Sequence, residues 1–225
     1  MNSRDTILAS IRRSLGVTGH EAPRRTEIED RLKSHPPGVI PARGQREPQA
    51  RVELFRTMME LASGTVEEIA RADDVPAAVS AFLRAHNLPM SVRRGGDPRL
   101  EAMPWARERT LEVAVGPSDG GDLVAVSHSF GAAAETGTLM LTSGADNPTT
   151  LNFLPDTHIV VVEAEDIAGD YERLWQRLRE TFGPGTMPRT VNWITGPSRS
   201  ADIEQTLILG AHGPRRLHVI VIERP

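Results

Sequence analysis

The sequence contains no cysteine. That absence removes disulfides, thiolate nucleophiles and every cysteine-ligated iron–sulfur or zinc site from the chain itself. Aromatic residues are scarce, at 4%, so the core has to be built from Val, Leu, Ile and Ala. Long apolar runs are missing too: Ile159–Val162 and Val219–Ile222 fall far short of the ~20 residues that span a bilayer. Asp5, Arg12 and Arg13 break up the amino-terminal stretch where a signal peptide would need its apolar centre. The expectation is a cytoplasmic protein with no membrane span. Nor does one sign of charge dominate, since 26 Lys and Arg stand against 30 Asp and Glu for a net charge of -4. A nucleic-acid partner, which would need a concentrated basic surface, is not expected.

What is present divides into an arm and a domain. Ile7, Leu8, Ile11 and Leu15 fall at helical spacing before Gly16, which predicts a short amphipathic helix. Its apolar stripe has to be buried against the same chain or a partner subunit. From His20 to Pro48 the composition shifts to proline and interleaved charge. Pro23, Pro36, Pro37, Pro41 and Pro48 are expected to forbid any regular helix there. Residues 1–48 therefore read as a helix and proline-rich arm, and residues 49–225 as an α/β domain. Within the domain, helices are expected over 51–62, from Val75 to His86, from Tyr171 to Phe182 and over Ala201–Leu209. Strands are expected at Thr65–Glu68, Met90–Val92, Leu111–Val115, Leu123–Val126, Leu139–Leu141, His158–Glu163, Val191–Ile194 and Leu217–Ile222. Alternating strands and helices in the carboxy-terminal half predict βαβ units and an open, mainly parallel sheet with flanking helices. Between Asp122 and Leu141, two strands joined by a short loop read as locally antiparallel.

In open α/β sheets ligands sit beyond strand ends, which directs attention to loops. Ala132–Thr138 places Glu135 immediately before Thr136, Gly137 and Thr138. The glycine lets a backbone approach a ligand, the hydroxyls can hold an anionic oxygen, and Glu135 can serve as base, nucleophile or orienting group. A tight hairpin loop with a solvated Glu accounts for the same letters. Thr195–Glu204 carries Gly196, Ser198, Arg199 and Ser200 from a strand into an expected helix whose first N–H groups suit a phosphate or carboxylate. A well-capped helix, with Ser198 or Ser200 as cap and Asp202 and Glu204 in its first turn, explains that stretch equally. His212, between Gly210 and Gly213, is a candidate acid, base or ligand, or part of an ordinary helix-ending turn. No paired histidine spacing for a metal, Walker loop, Rossmann glycine fingerprint or Gly-x-Ser-x-Gly elbow is present.

Four stretches in this order, AETGTLML (Ala134–Leu141), LPDTHIVVVEAEDI (Leu154–Ile167), ITGPSRSADIEQTL (Ile194–Leu207) and GAHGPRRLHVIV (Gly210–Val221), resemble the LUD-domain family, formerly a domain of unknown function, and most of all its lactate-utilisation protein C branch. The resemblance covers most of residues 50–225. It implies a fold similar to the sugar-phosphate isomerase and CoA-transferase-like group. It also implies an accessory role in oxidising L-lactate to pyruvate beside iron–sulfur partner proteins, with no cofactor in this chain and a small anionic metabolite as ligand. A stand-alone enzyme or a sensor binding a small carboxylate, CoA or phosphate compound is the alternative. In the enzyme reading Glu135 and His212 are the catalytic candidates, and Thr136, Gly137, Thr138, Gly196, Ser198, Arg199 and Ser200 the ligand cradle. Similar sequences often carry an arginine after the ETGT strand; here the loop reads Ser143-Gly144-Ala145-Asp146-Asn147-Pro148, and Arg199 is the leading replacement.

Overall fold

A computed structural model of the protein describes residues 2–200 and 208–224, which divide by contacts into two units, Met1–Ile40 and Pro41–Pro225. In the first unit, helix α1 (Ser3–Leu15) is capped by the Asn2 side chain and closed by Gly16 in the left-handed conformation. Its stripe residues Ile7, Ile11 and Leu15 are exposed. A second helix, α2 (Ala22–Ser34), occupies the stretch expected to be irregular. The prolines do not forbid it because Pro23 lies in the first turn, where no backbone acceptor awaits its missing N–H, and Pro36 and Pro37 follow the last turn.

The second unit runs α3 (Pro48–Leu61), β1 (Thr65–Arg71), α4 (Val75–Ala85), β2 (Ser91–Arg94), α5 (Pro98–Glu101), β3 (Glu112–Val115), β4 (Val124–His128), β5 (Gly131–Ala133), β6 (Thr138–Thr142), α6 (Thr150–Phe153), β7 (Thr157–Glu163), β8 (Ile167–Ala168), α7 (Tyr171–Phe182), β9 (Val191–Ile194), β10 (Arg199–Ser200), β11 (Ile208–Leu209) and β12 (Arg216–Arg224). Six strands form an all-parallel sheet in the order β1-β12-β7-β4-β2-β3, and four form a smaller sheet, β8-β5-β6-β9. The fold is the α/β class read from the sequence.

Two connections differ from expectation. The strands at Val124 and Thr138 do not pair; β4 lies in the parallel sheet and β6 in the smaller one, and the antiparallel pair is β5–β6. The chain changes sheet between Ser129, whose N–H donates to Val161 O at 2.9 Å, and Phe130, whose N–H donates to Met140 O at 2.8 Å. Likewise β7 and β9 flank α7 in sequence but belong to different sheets, so this alternation builds a second layer rather than another βαβ unit. The helix expected over Ala201–Leu209 lies mostly outside the described residues, and its last two residues form β11, paired antiparallel with Arg199 and Ser200.

Alternate side chains of the central strands sort the core into layers. Val126, Ile159, Val161 and Ile220 face α4 through Val79 and Leu83. Their neighbours Val160, Val162, Val219 and Val221 meet Phe55 and Met59 of α3 and Leu139 and Leu141 of β6. The far side of the smaller sheet, with Ala133 and Met140, is covered by Leu174 and Leu178 of α7. Both faces of β7 are therefore buried, as its uninterrupted apolar run requires.

Candidate functional site

The two loops singled out in the sequence meet at the carboxy-terminal end of α3. Gly137, at φ +66°, brings its Cα so close to the helix that an added Cβ would lie 2.4 Å from Met59 N. Gly196, at φ +73°, packs on Ala62, where a Cβ would lie 2.2 Å from the carbonyl oxygen. Both positions thus demand glycine for conformation and for space. The hydroxyls around them satisfy one another: Thr138 Oγ1 lies 2.7 Å from Thr136 Oγ1, 2.8 Å from Tyr171 OH and 2.6 Å from Thr195 Oγ1. Thr136 Oγ1 also reaches Tyr171 OH at 2.8 Å.

Glu135 is placed differently. It is 4% exposed, and its Oε1 accepts from Tyr171 N at 3.3 Å, in the first turn of α7. Asp170, the N-cap of that helix, accepts from Arg173 N at 3.0 Å and from Gln45 Nε2 at 2.8 Å. The two carboxylates therefore serve the positive end of α7. Glu135 is not among the residues that line the second loop's cleft.

That second loop lines a cleft of about 270 Å3 with Ser198, Arg199 and His212 at its edge and Asn152, His158, Phe153, Trp193 and Leu217 among its walls. Ser198 joins the two chain segments: its N–H donates to Pro214 O at 2.8 Å, its carbonyl accepts from Gly210 N at 3.0 Å, and its Oγ accepts from His212 N at 3.2 Å. Ser200 is buried and paired in β10 with Ile208. Arg199 is exposed and donates to the carbonyl of Ala62. His212 is exposed at the mouth.

At the cleft's depth, His158 and Asn152 are essentially fully buried. His158 Nε2 pairs with Ser127 Oγ at 3.0 Å, whereas Nδ1 has no partner. Burial alone pushes its pKa down to about 3, so the ring is neutral. Neither Nδ2 nor Oδ1 of Asn152 has a protein partner.

A separate polar cluster sits where β2, β4 and β7 end. Arg99 grips Asp97 through Nε at 3.0 Å and NH2 at 2.7 Å. Burial raises the Asp97 carboxyl, but the hydrogen bond and charge of Arg99 outweigh it and hold the pKa below the usual value. His128, the last residue of β4, stands with Nε2 3.3 Å from Glu163 Oε1, at the end of β7, and Nδ1 3.0 Å from Ser129 O. Asp97, Arg99 and His128 open onto a pocket of about 390 Å3 whose other side is Ser143–Asn147. The guanidinium beside that loop is thus Arg99; Arg199, expected as the replacement, serves the α3 terminus. Among the described residues, no group of three or more His, Asp or Glu is placed to hold a metal ion. None of their helices is long and apolar enough to cross a membrane.

The sequence reading missed Asn152, the Asp97–Arg99 pair and Glu163. Gly95-Gly96 before Asp97 was the available signal, because a glycine pair after a strand marks a tight approach; a Cβ on Gly95 would meet Asp146 O at 1.9 Å. Asn152 had no such signal.

Residues 123–222 match the model of the LUD domain. The chain is 39% identical over 90 residues to lactate utilization protein C of Geobacillus sp. (strain WCH70), covering 40% of this chain and 37% of that protein. It is 38% identical over 93 residues to lactate utilization protein C of Bacillus subtilis (strain 168), covering 40% and 39%. The matched segment thus spans well under half the length of these curated relatives. A solved DUF162 family protein from Deinococcus radiodurans superposes with a TM-score of 0.56 at 21% identity, covering 79% of this chain and 99% of that one. That likeness concerns the fold alone.

Proposed function

From the match of residues 123–222 to the LUD domain, we propose that this chain is an accessory subunit in the oxidation of L-lactate to pyruvate, acting with iron–sulfur partner proteins. The observation that carries the reading is the match to lactate utilization protein C over 90 and 93 residues, beside the LUD-domain match over residues 123–222, which hold both loops. Chemistry supports the division of labour. Oxidising a 2-hydroxy acid releases two electrons, and a chain with no cysteine offers no thiolates to hold a cluster that would accept them. An iron–sulfur carrier then belongs to another chain. This subunit's part is to hold the small acid, and the partly exposed Arg99 guanidinium at the carboxyl-edge pocket, also paired to Asp97, is the cation there that recognises it.

Mixing the purified chain with its iron–sulfur partners should yield one complex on gel filtration at micromolar concentration, and L-lactate or pyruvate should raise that complex's melting temperature by mass action. Independent elution of the chain overturns the accessory reading.

A further inference from the structure

The Asn152 cleft has a property the lactate reading does not use. Asn152 is 1% exposed, yet both atoms of its amide lack partners, and the residue lines the cleft. A buried amide left unsatisfied costs free energy in the empty protein, and the cleft it lines has room for a ligand that completes it. Beside it, His158 Nδ1 is a third unpaired polar atom, on a ring fixed by Ser127. The walls are aromatic and apolar: Phe153, Trp193 and Leu217. Trp193 is itself fixed, with Tyr171 and Trp175 at ring-centroid distances of 4.8 and 5.4 Å. At the mouth stand two side chains suited to an anion, Arg199 and His212.

We propose that this cleft binds an adenine-type nitrogen heterocycle, its donor–acceptor edge on the Asn152 amide, its ring between the apolar walls and an attached phosphate at Arg199 and His212. An asparagine amide offers a donor beside an acceptor and matches an edge that presents the reverse, as adenine does with its exocyclic amine and adjacent ring nitrogen. His158 supplies the additional hydrogen bond. A volume of about 270 Å3 lies at the foot of the ~300–1,000 Å3 range of small-molecule sites. It takes a ring-sized group, and the remainder of the ligand projects past the mouth. A simple carboxylate would leave the aromatic walls uncovered and would put a charge beside a neutral, buried imidazole. The inference rests on the cleft alone and stands or falls apart from the lactate assignment.

Titration calorimetry of the full chain with AMP, adenosine, purine riboside and L-lactate tests it. AMP should bind. Purine riboside, which lacks the exocyclic amine, should bind about ten- to a hundredfold more weakly than adenosine, the discrimination expected of one bidentate amide contact. Asn152→Leu keeps the shape and removes the unpaired polar atoms. It should leave the empty protein's melting temperature unchanged or higher while weakening AMP by a similar factor. Arg199→Ala should weaken AMP and spare adenosine. No binding of AMP at millimolar concentration, or equal affinity for adenosine and purine riboside, overturns the proposal, whether or not the Leu variant folds.

Discussion

Individual side chains show how much of this protein's stability depends on groups that stay uncharged. His158 and His218 are buried beside the sheet, their pKa values held down to about 3 and about 4, by burial in both cases and in the second also by the charge of His86. An exposed imidazole titrates near 6.5. Above that pH neither the folded nor the unfolded chain binds these protons, and the pair adds no pH dependence. Below it the unfolded chain takes up two protons that the folded chain refuses. Stability should therefore fall by up to about 3 kcal/mol per pH unit between pH 6 and pH 4. Urea midpoints measured at intervals over that range would show it, and His158→Gln should reduce the slope to roughly half. At the same scale, some candidates were legible as letters and others were not. Gly137 and Gly196 stood out because glycine in a short loop signals positive φ or a close approach, and both conditions hold. Glu135 was legible as unusual but not as to its task. Nothing in the letters said that the amino end of α7 would lie within reach of its carboxylate.

At the scale of elements, α7 shows local sequence and tertiary packing in agreement. Tyr171, Leu174, Trp175, Leu178 and Phe182 recur at helical spacing, and they are the side chains that pack on the smaller sheet. Asp170 ends the preceding turn as N-cap, 1% exposed, and also accepts from Gln45. Asp170→Ala should cost about 1–2 kcal/mol from the lost cap, with the part-buried Gln45 contact adding to it. Chemical denaturation read by tryptophan fluorescence would measure this, and an unchanged midpoint would show the cap to be unimportant. Elements were harder to read where pattern and context disagree. Counting prolines between His20 and Pro48 suggested an irregular arm, but position along a helix decides a proline's effect, and Pro23 falls where it is tolerated. Strands β5, β8, β10 and β11 have two or three residues each, too few for any alternation to register.

For the whole molecule, the order of strands matters more than their number. β12 is last in sequence but lies inside the sheet, between β1 and β7, with parallel pairings to Thr65–Arg71 and Thr157–Glu163. Leu217, Val219, Ile220, Val221 and Ile222 join the two core clusters on either side of the sheet. Removing residues 216–225 should therefore abolish cooperative unfolding of the domain rather than trim an edge. Loss of near-ultraviolet circular dichroism and of a sharp thermal transition would register it. A truncated chain that still melts cooperatively would mean the sheet closes without its inner strand.

Apolar periodicity and composition were enough to set the class of the fold, the place of the longer helices and strands within residues 49–225, and the absence of thiolate chemistry. Those properties depend on which neighbouring residues share one face of one element, and that is written locally. Tertiary structure alone decided which sheet each strand joins, that Glu135 serves a helix end, and that Asn152 and His158 come together at the base of a cleft. Such outcomes depend on contacts between residues distant along the chain, where burial and unpaired polar atoms, rather than sequence spacing, determine what a side chain does.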